Sequence, residues 1–313
     1  MLGRSLGEGI SASGPNSPFE FVGQTLSGAD IAFVNLEAPL TDGGEPANKD
    51  FVFRGPPAGA KALADAGVDI VSLANNHMLD YGPTGLADTM SALKAEGIAY
   101  AGAGENVHAA RAPSVLQRFG IRVAFLAYVS TLSDSVSGFD VSSTQATEDR
   151  PGVAWLTPET VAADVAAAKL ASDVVVVSMH TGNEYRDAPS ALQVAAAHAA
   201  IDAGAALVLG SHPHVLQGLE TYKGGLIIYS LGNFVFDFDF VDYSFPGLPS
   251  ALSAMLRVRL TKAGVVKCDL LPLIIGETDG RPRPASGTDA DRVLERLRRL
   301  SDGSCGLGPS PTP

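Results

Sequence analysis

His212 and His214 stand one residue apart in Gly210-Ser211-His212-Pro213-His214, directly after the apolar run Ala205-Ala206-Leu207-Val208-Leu209. That run reads as a buried strand. Two imidazoles just past a strand end can point into one crevice, where they suit borderline transition metals. Pro213 fixes one backbone angle between them, and Gly210 is expected to let the chain turn sharply. Two ligands alone do not define a metal site. Other metal-capable side chains, however, follow other strand-like runs: Glu37, Asn76 with His77, and His180. Singly, Glu37 could cap a turn, Asn75 and Asn76 could be loop residues tolerating left-handed geometry, and His180 could be a satisfied buried histidine. Jointly, Glu37, Asn76, His180, His212 and His214 read as oxygen and nitrogen donors for a divalent ion. Of the six histidines, only His108 and His198 lie outside this pattern.

The elements that must position these donors alternate. Strands are expected at Asp30–Val34, Val68–Leu73, Ile98–Tyr100, Val123–Tyr128, Asp173–Val177, Ala205–Leu209 and Leu226–Tyr229. Helices are expected over Lys61–Ala66, Thr84–Glu96, Pro158–Leu170 and Ala188–Ala203, with Gly67, Gly97 and Gly204 as stops. Two late strands, Ala254–Leu260 and Val265–Leu271, flank the turn Lys262-Ala263-Gly264 and predict an antiparallel pair. Ser133–Gly152 is polar and without period, a long surface loop or lid. Helix-separated apolar strands argue a mostly parallel α/β core, and in such a sheet the carboxyl ends of strands face a common crevice.

Composition narrows the function. The chain has 313 residues, 46% of them hydrophobic and 18% charged, and suits one large globular domain over residues 1–301. A formal charge of −12 disfavours nucleic acid and anionic membrane as partners. The short basic run Arg296-Leu297-Arg298-Arg299 reads as a solvated helix face. Cys268 is expected to be a buried small hydrophobe, with no disulfide framework, and residues 302–313, including Cys305, are expected to form a disordered tail.

The motifs resemble a known family. Asn35-Leu36-Glu37, Phe53-Arg54, Leu73-Ala74-Asn75-Asn76-His77 with Asp80-Tyr81-Gly82, and His180-Thr181-Gly182-Asn183-Glu184-Tyr185 begin the match. Gly210-Ser211-His212-Pro213-His214-Val215 and Tyr229-Ser230-Leu231-Gly232-Asn233-Phe234 complete it. In this order they resemble the CapA-type proteins of poly-γ-glutamate capsule synthesis, a branch of the calcineurin-like metallophosphoesterase superfamily. The resemblance implies a layered α/β sandwich of mixed sheets flanked by helices.

It also implies roles. One ion would be held by Glu37, Asn76, His180 and His212; a second would share Glu37 and take His214 plus an Asp from a preceding strand. His77 would be the general acid, oriented by Asp80. Arg4 and Arg54 would grip phosphate oxygens, with Asn75 and Asn233 as further substrate-binding candidates. The family's aromatic after His180 is replaced by Thr181, expected to alter the pocket wall. The family also has a strand ending in Gly-Asp ahead of the segment matching Met1-Leu2-Gly3-Arg4; a start codon placed too late is the expected reason it is missing here.

The implied function is a metal-dependent hydrolase of the phosphoesterase type using one or two ions of Mn, Fe, Zn or Mg. Alternatives are a non-catalytic accessory component of poly-γ-glutamate synthesis or export, partnered by a membrane-bound synthase, or a tailoring enzyme on a small biosynthetic intermediate. The substrate is a small molecule or polymer. The chain as given reads as cytoplasmic, and as extracytoplasmic or membrane-associated if a longer N-terminus exists.

Overall fold

The computed structural model describes residues 1–13, 17–131, 138–238, 249–302, 305 and 307. Among them the helices are α1 (Arg4–Ser13), α2 (Gly23–Ser27), α3 (Ala58–Asp65), α4 (Gly82–Ala95), α5 (Val107–Arg111), α6 (Pro158–Ala171), α7 (Ala191–Asp202) and α8 (Gly287–Leu300). The first strands are β1 (Phe33–Asn35), β2 (Ile70–Ser72), β3 (Ala99–Ala101), β4 (Ala103–Gly104), β5 (Ser114–Arg118), β6 (Ile121–Ser130) and β7 (Gly152–Val153). There follow β8 (Val174–Thr181), β9 (Leu207–Ser211), β10 (Leu219–Tyr222), β11 (Gly225–Ile228), β12 (Leu252–Thr261), β13 (Gly264–Ile275) and β14 (Pro282–Pro284).

The parallel core is divided. β1-β2-β3 form one small parallel sheet, while a second sheet runs β10-β11-β9-β8-β6-β5. Its central strands from β11 to β6 are parallel, and the edge strands β10 and β5 are antiparallel. The crevice expected at one sheet is therefore lined by the carboxyl ends of strands from two. Register fixes the second sheet's contribution, because His180 of β8 pairs with Ser211 of β9. All eight residues of β8 are buried, and each large apolar side chain so placed contributes roughly 1.5–3 kcal/mol.

Local signals set the helix starts. Pro158 opens α6 behind Thr157, whose side chain accepts from the Thr160 backbone. Ser190 and Gln193 form a reciprocal capping box on α7. The expected hairpin is β12–β13, closed at Thr261↔Gly264 with Gly264 at φ +106°; β14 extends it.

Four readings of the sequence need correction. Cys268 on β13 is not a lone hydrophobe: it is disulfide-bonded to Cys305. The tail is correspondingly anchored, since Asp302 N–H donates to Leu219 O and Leu307 is buried; residues 303, 304, 306 and 308–313 lie outside the described residues. The basic run on α8 is not wholly solvated either. Leu297 is buried, and Arg296 and Arg299 both reach Asp187, at 2.6 and 3.2 Å. The segment read as a lid, where described, carries buried Val141 and Ala146 and ends in β7, paired with β4; residues 133–137 lie outside the described residues.

The disulfide closes a 37-residue separation, worth about 4 kcal/mol in the loop-entropy account. Joint Cys268→Ser and Cys305→Ser replacement is therefore expected to lower the urea unfolding midpoint, and reductant should do the same to the parent chain. Coincident unfolding curves with and without reductant would contradict this.

Candidate metal centre

Glu37 follows β1, Asn76 and His77 follow β2, His180 lies near the end of β8, and His212 and His214 follow β9. The two sheets bring these residues together. The rings of His180 and His212 are 4.9 Å apart and those of His212 and His214 6.0 Å. His180 Nε2 lies 2.8 Å from Asn76 Oδ1 and 3.4 Å from Glu37 Oε1. Two donors bonded to one ion at about 2.1 Å sit about 3 Å apart when they meet at a right angle, so these spacings fit ligands converging on a shared cation.

The chemistry of the donors fits as well. Glu37 Oε1 and His212 Nδ1 are buried without a hydrogen-bond partner, although buried polar atoms are normally satisfied. A carboxylate oxygen and an imidazole nitrogen left in this way are what a cation would satisfy. Burial pushes the imidazoles of His180 and His212 well below the ordinary histidine range, helped by neighbouring histidines, and the neutral ring is the ligating form. Glu37, His180 and His212 form one group that could hold a metal; Glu184, His212 and His214 form another.

The surrounding shell orients the donors. Asn35 Nδ2 donates to Glu37 Oε2 at 3.2 Å, and Ser211 Oγ lies 3.0 Å from His180 Nδ1. Asn233 Nδ2 donates to the carbonyls of His214 and Ser250, which turns its Oδ1 to His214 Nδ1 at 2.9 Å. That contact places the His214 proton on Nδ1. Asn233, expected to bind substrate, is thus placed to orient a histidine. Asn75, expected likewise, is fully buried; it donates to Leu36 O at 2.8 Å and accepts from the His77 backbone at 3.1 Å. Its amide ties the β1 and β2 exits together instead of facing a ligand.

Gly210 also has a different reason from the one expected. A Cβ there would lie 2.0 Å from Tyr229 O, so glycine permits close approach of β9 to the chain after β11, while the sharp backbone is at His212 (φ +99°) and His214 (φ +57°). Such left-handed conformations in non-glycine residues cost energy and cluster at functional sites. Thr181 is buried and pairs with Ser130 in the β6–β8 ladder.

Beside the donors, His77 Nδ1 is 2.8 Å from Asp80 Oδ2, which also accepts from the Phe53 backbone at 2.7 Å. The other Asp80 oxygen accepts from Lys49 Nζ at 2.7 Å, and Lys49 donates in turn to Asn76 O at 2.9 Å. Lys49 had no sequence signal; it lies in a polar stretch attached to no strand. Phe53 packs on His77 with ring centres 4.2 Å apart, and the Arg4 guanidinium lies over Phe53 at 4.7 Å. Arg54 is exposed and stacks on Tyr81. Glu37, His212 and His214 also help line a cavity of about 950 Å³ whose further walls include Phe33, Phe125, Val176, Leu209 and Met255.

Mixed sheets flanked by helices, with a His/Glu/Asn cleft at the strand ends, define a calcineurin-like metallophosphoesterase fold. The sequence profile of the bacterial capsule synthesis protein family PGA_cap matches residues 1–238, and the chain belongs to that family. It is 34% identical over 308 residues to the capsule biosynthesis protein CapA of Bacillus anthracis, covering 96% of this chain and 71% of that one. A Mycobacterium tuberculosis protein described as a "probable polyglutamine synthesis accessory protein" is 33% identical over 286 residues, covering 87% and 72%. A hypothetical protein from Thermus thermophilus shares the fold at TM-score 0.54 and 16% identity, covering 83% of this chain and 94% of that one. The family is linked to poly-γ-glutamate and capsule biosynthesis. Among the described residues no helix is long and apolar enough to cross a membrane.

Proposed function

We propose that the chain is a metal-dependent hydrolase of the phosphoesterase type acting in poly-γ-glutamate or capsule biosynthesis. The observation that carries this reading is the convergence of Glu37, Asn76, His180 and His212, with one oxygen of Glu37 and one nitrogen of His212 buried and unpartnered. A divalent cation, when bound there, acidifies water and neutralises phosphoryl charge.

The chain's own residues do the rest. Asp80 accepts the Nδ1 proton of His77, leaving the ring's other nitrogen to hand a proton to the departing oxygen. Lys49 braces the Asp80 carboxylate through its other oxygen. Arg4, stacked on Phe53 beside His77, grips phosphate oxygens through paired N–H donors. The disulfide supports placement in an oxidising, extracytoplasmic compartment.

Protein stripped by chelator is expected to lose activity on a chromogenic phosphodiester or monoester and to regain it with added Mn²⁺. Absence of turnover with Mn²⁺, Fe²⁺, Zn²⁺ and Mg²⁺ alike would reject the hydrolase. The accessory description of the mycobacterial relative favours a second reading, a non-catalytic component that docks on a membrane-bound synthase. That reading expects site variants to lose synthase association while having no turnover to lose.

A further inference from the structure

We infer that Asp187 is a positioning residue for the metal centre: held by α8, it seats the loop 182–190 on the His212–His214 turn and so fixes the rings that the turn carries. This rests on the metal-dependent reading above. It extends that reading to a helix beyond residue 238, where the match to the PGA_cap profile ends.

The turn needs outside support. His212 and His214 are both left-handed, at φ +99° and +57°, and such backbone persists only where its surroundings enforce it. Pro213, between them, has no N–H to offer. Its carbonyl accepts from the Tyr185 N–H at 2.9 Å, and the Tyr185 ring lies 6.1 Å from that of His214. Tyr185 is itself left-handed, at φ +57°. The strain is thus shared with the loop, and the loop in turn has to be held.

Loop 182–190 joins β8 to α7 without regular structure, and Asn183, Glu184, Arg186 and Ala188 are exposed. Burial therefore contributes little to its order. Two fastenings supply that order instead. One is Gln217, whose Nε2 donates to Arg186 O at 2.9 Å and Ala188 O at 3.2 Å, while its Oε1 accepts from Gln193 at 2.9 Å. The other is Asp187, which stands between those two carbonyls in the chain. One of its oxygens accepts from Arg296 at 2.6 Å and the other from Arg299 at 3.2 Å.

The helix that grips Asp187 is itself well anchored. Val293 and Leu297 are buried, and Leu219 N–H donates to Ser301 Oγ at 2.9 Å. Arg298 Nε donates to Leu307 O at 2.8 Å, just past the Cys268–Cys305 bond. Ion pairs between mobile surface groups are worth little. This one has an ordered half, because the Arg296 side chain is only 14% exposed.

The test combines backbone hydrogen exchange with a calorimetric titration of the chelator-stripped full chain with Mn²⁺. Asp187→Asn is expected to speed exchange of the Tyr185 amide by roughly tenfold or more while the β8 amides keep the parent rate. It should also weaken Mn²⁺ binding by about tenfold, as loss of outer support does at other metal sites. Arg296→Met should act alike, and the double variant should be no worse than the worse single one, since both break one link. Asp187→Glu should restore most of the loss. Unchanged Tyr185 exchange in Asp187→Asn would overturn the inference, as would unchanged Mn²⁺ affinity, and either leaves the metal-dependent reading standing. Faster exchange at Tyr185 and across β8 alike would make Asp187 a residue of general stability and overturn it too. A parent chain that binds no Mn²⁺ would remove the metal-dependent reading, and the inference with it.

Discussion

Glu37→Gln is expected to empty the first cation position and reduce turnover by about 10³-fold or more while the fold survives. The substitution keeps the shape of the side chain and removes its charge. Oε1, the oxygen 3.4 Å from His180 Nε2, is buried and unpartnered, so an amide there supplies a poorer donor or points an N–H at the ion. Polarisation of a phosphoryl oxygen by a cation is worth several kcal/mol, and each 1.36 kcal/mol is tenfold in rate. The cation-free variant should be no less stable than the parent, because a carboxylate with one oxygen buried and unpartnered is a cost rather than a gain when no cation offsets it. Only the parent should be stabilised by metal, by about 2.7 kcal/mol at a concentration one hundred times Kd. Metal analysis, thermal shift with and without Mn²⁺, and ester hydrolysis check the three parts. A variant that keeps its metal and its metal-dependent stabilisation would remove Glu37 from the centre.

What the sequence made legible follows from where its signals are local. Apolar runs separated by glycine-stopped helices announce parallel strands, and a donor just past such a run must lie at a carboxyl end; Glu37, His180 and His212 were found on that logic and do meet. Side chains that act across elements carried no comparable signal. Lys49 reaches Asp80 over 31 positions and His77 over 28, from a loop with neither period nor motif. Asn233 looked like a substrate residue because it sits in a family motif, yet its bonds to two carbonyls turn it toward His214. Cys305 looked stranded in a polar tail, and only the packing of α8 against β13 returns it to Cys268. The division of the parallel strands into two sheets was equally invisible, since β1, β2 and β3 and then β6, β8, β9 and β11 have the same alternation in sequence and differ only in which edges pair.

Asp80→Asn should damage the protein twice, and the two injuries can be separated. Asp80 and Lys49 form a pair whose side chains are 1% and 6% exposed; removing one charge of such a pair typically costs about 3–5 kcal/mol, because the other is left buried and uncompensated. Independently, an amide in place of the carboxylate cannot both accept the Nδ1 proton of His77 and steady the charged ring, so proton donation to the leaving oxygen suffers by about 10²–10⁴-fold in kcat. Metal content should stay at the parent value, since Asp80 is outside the groups of donors that could hold the ion. Adding Lys49→Met removes the stranded ammonium and should return most of the lost unfolding free energy while kcat stays low. If the double variant regains parent turnover, Asp80 acts only through stability and His77 needs no orienting carboxylate. If stability recovers and kcat does not, the pair divides its work: Lys49 makes the buried carboxylate tolerable, and the carboxylate sets the ring.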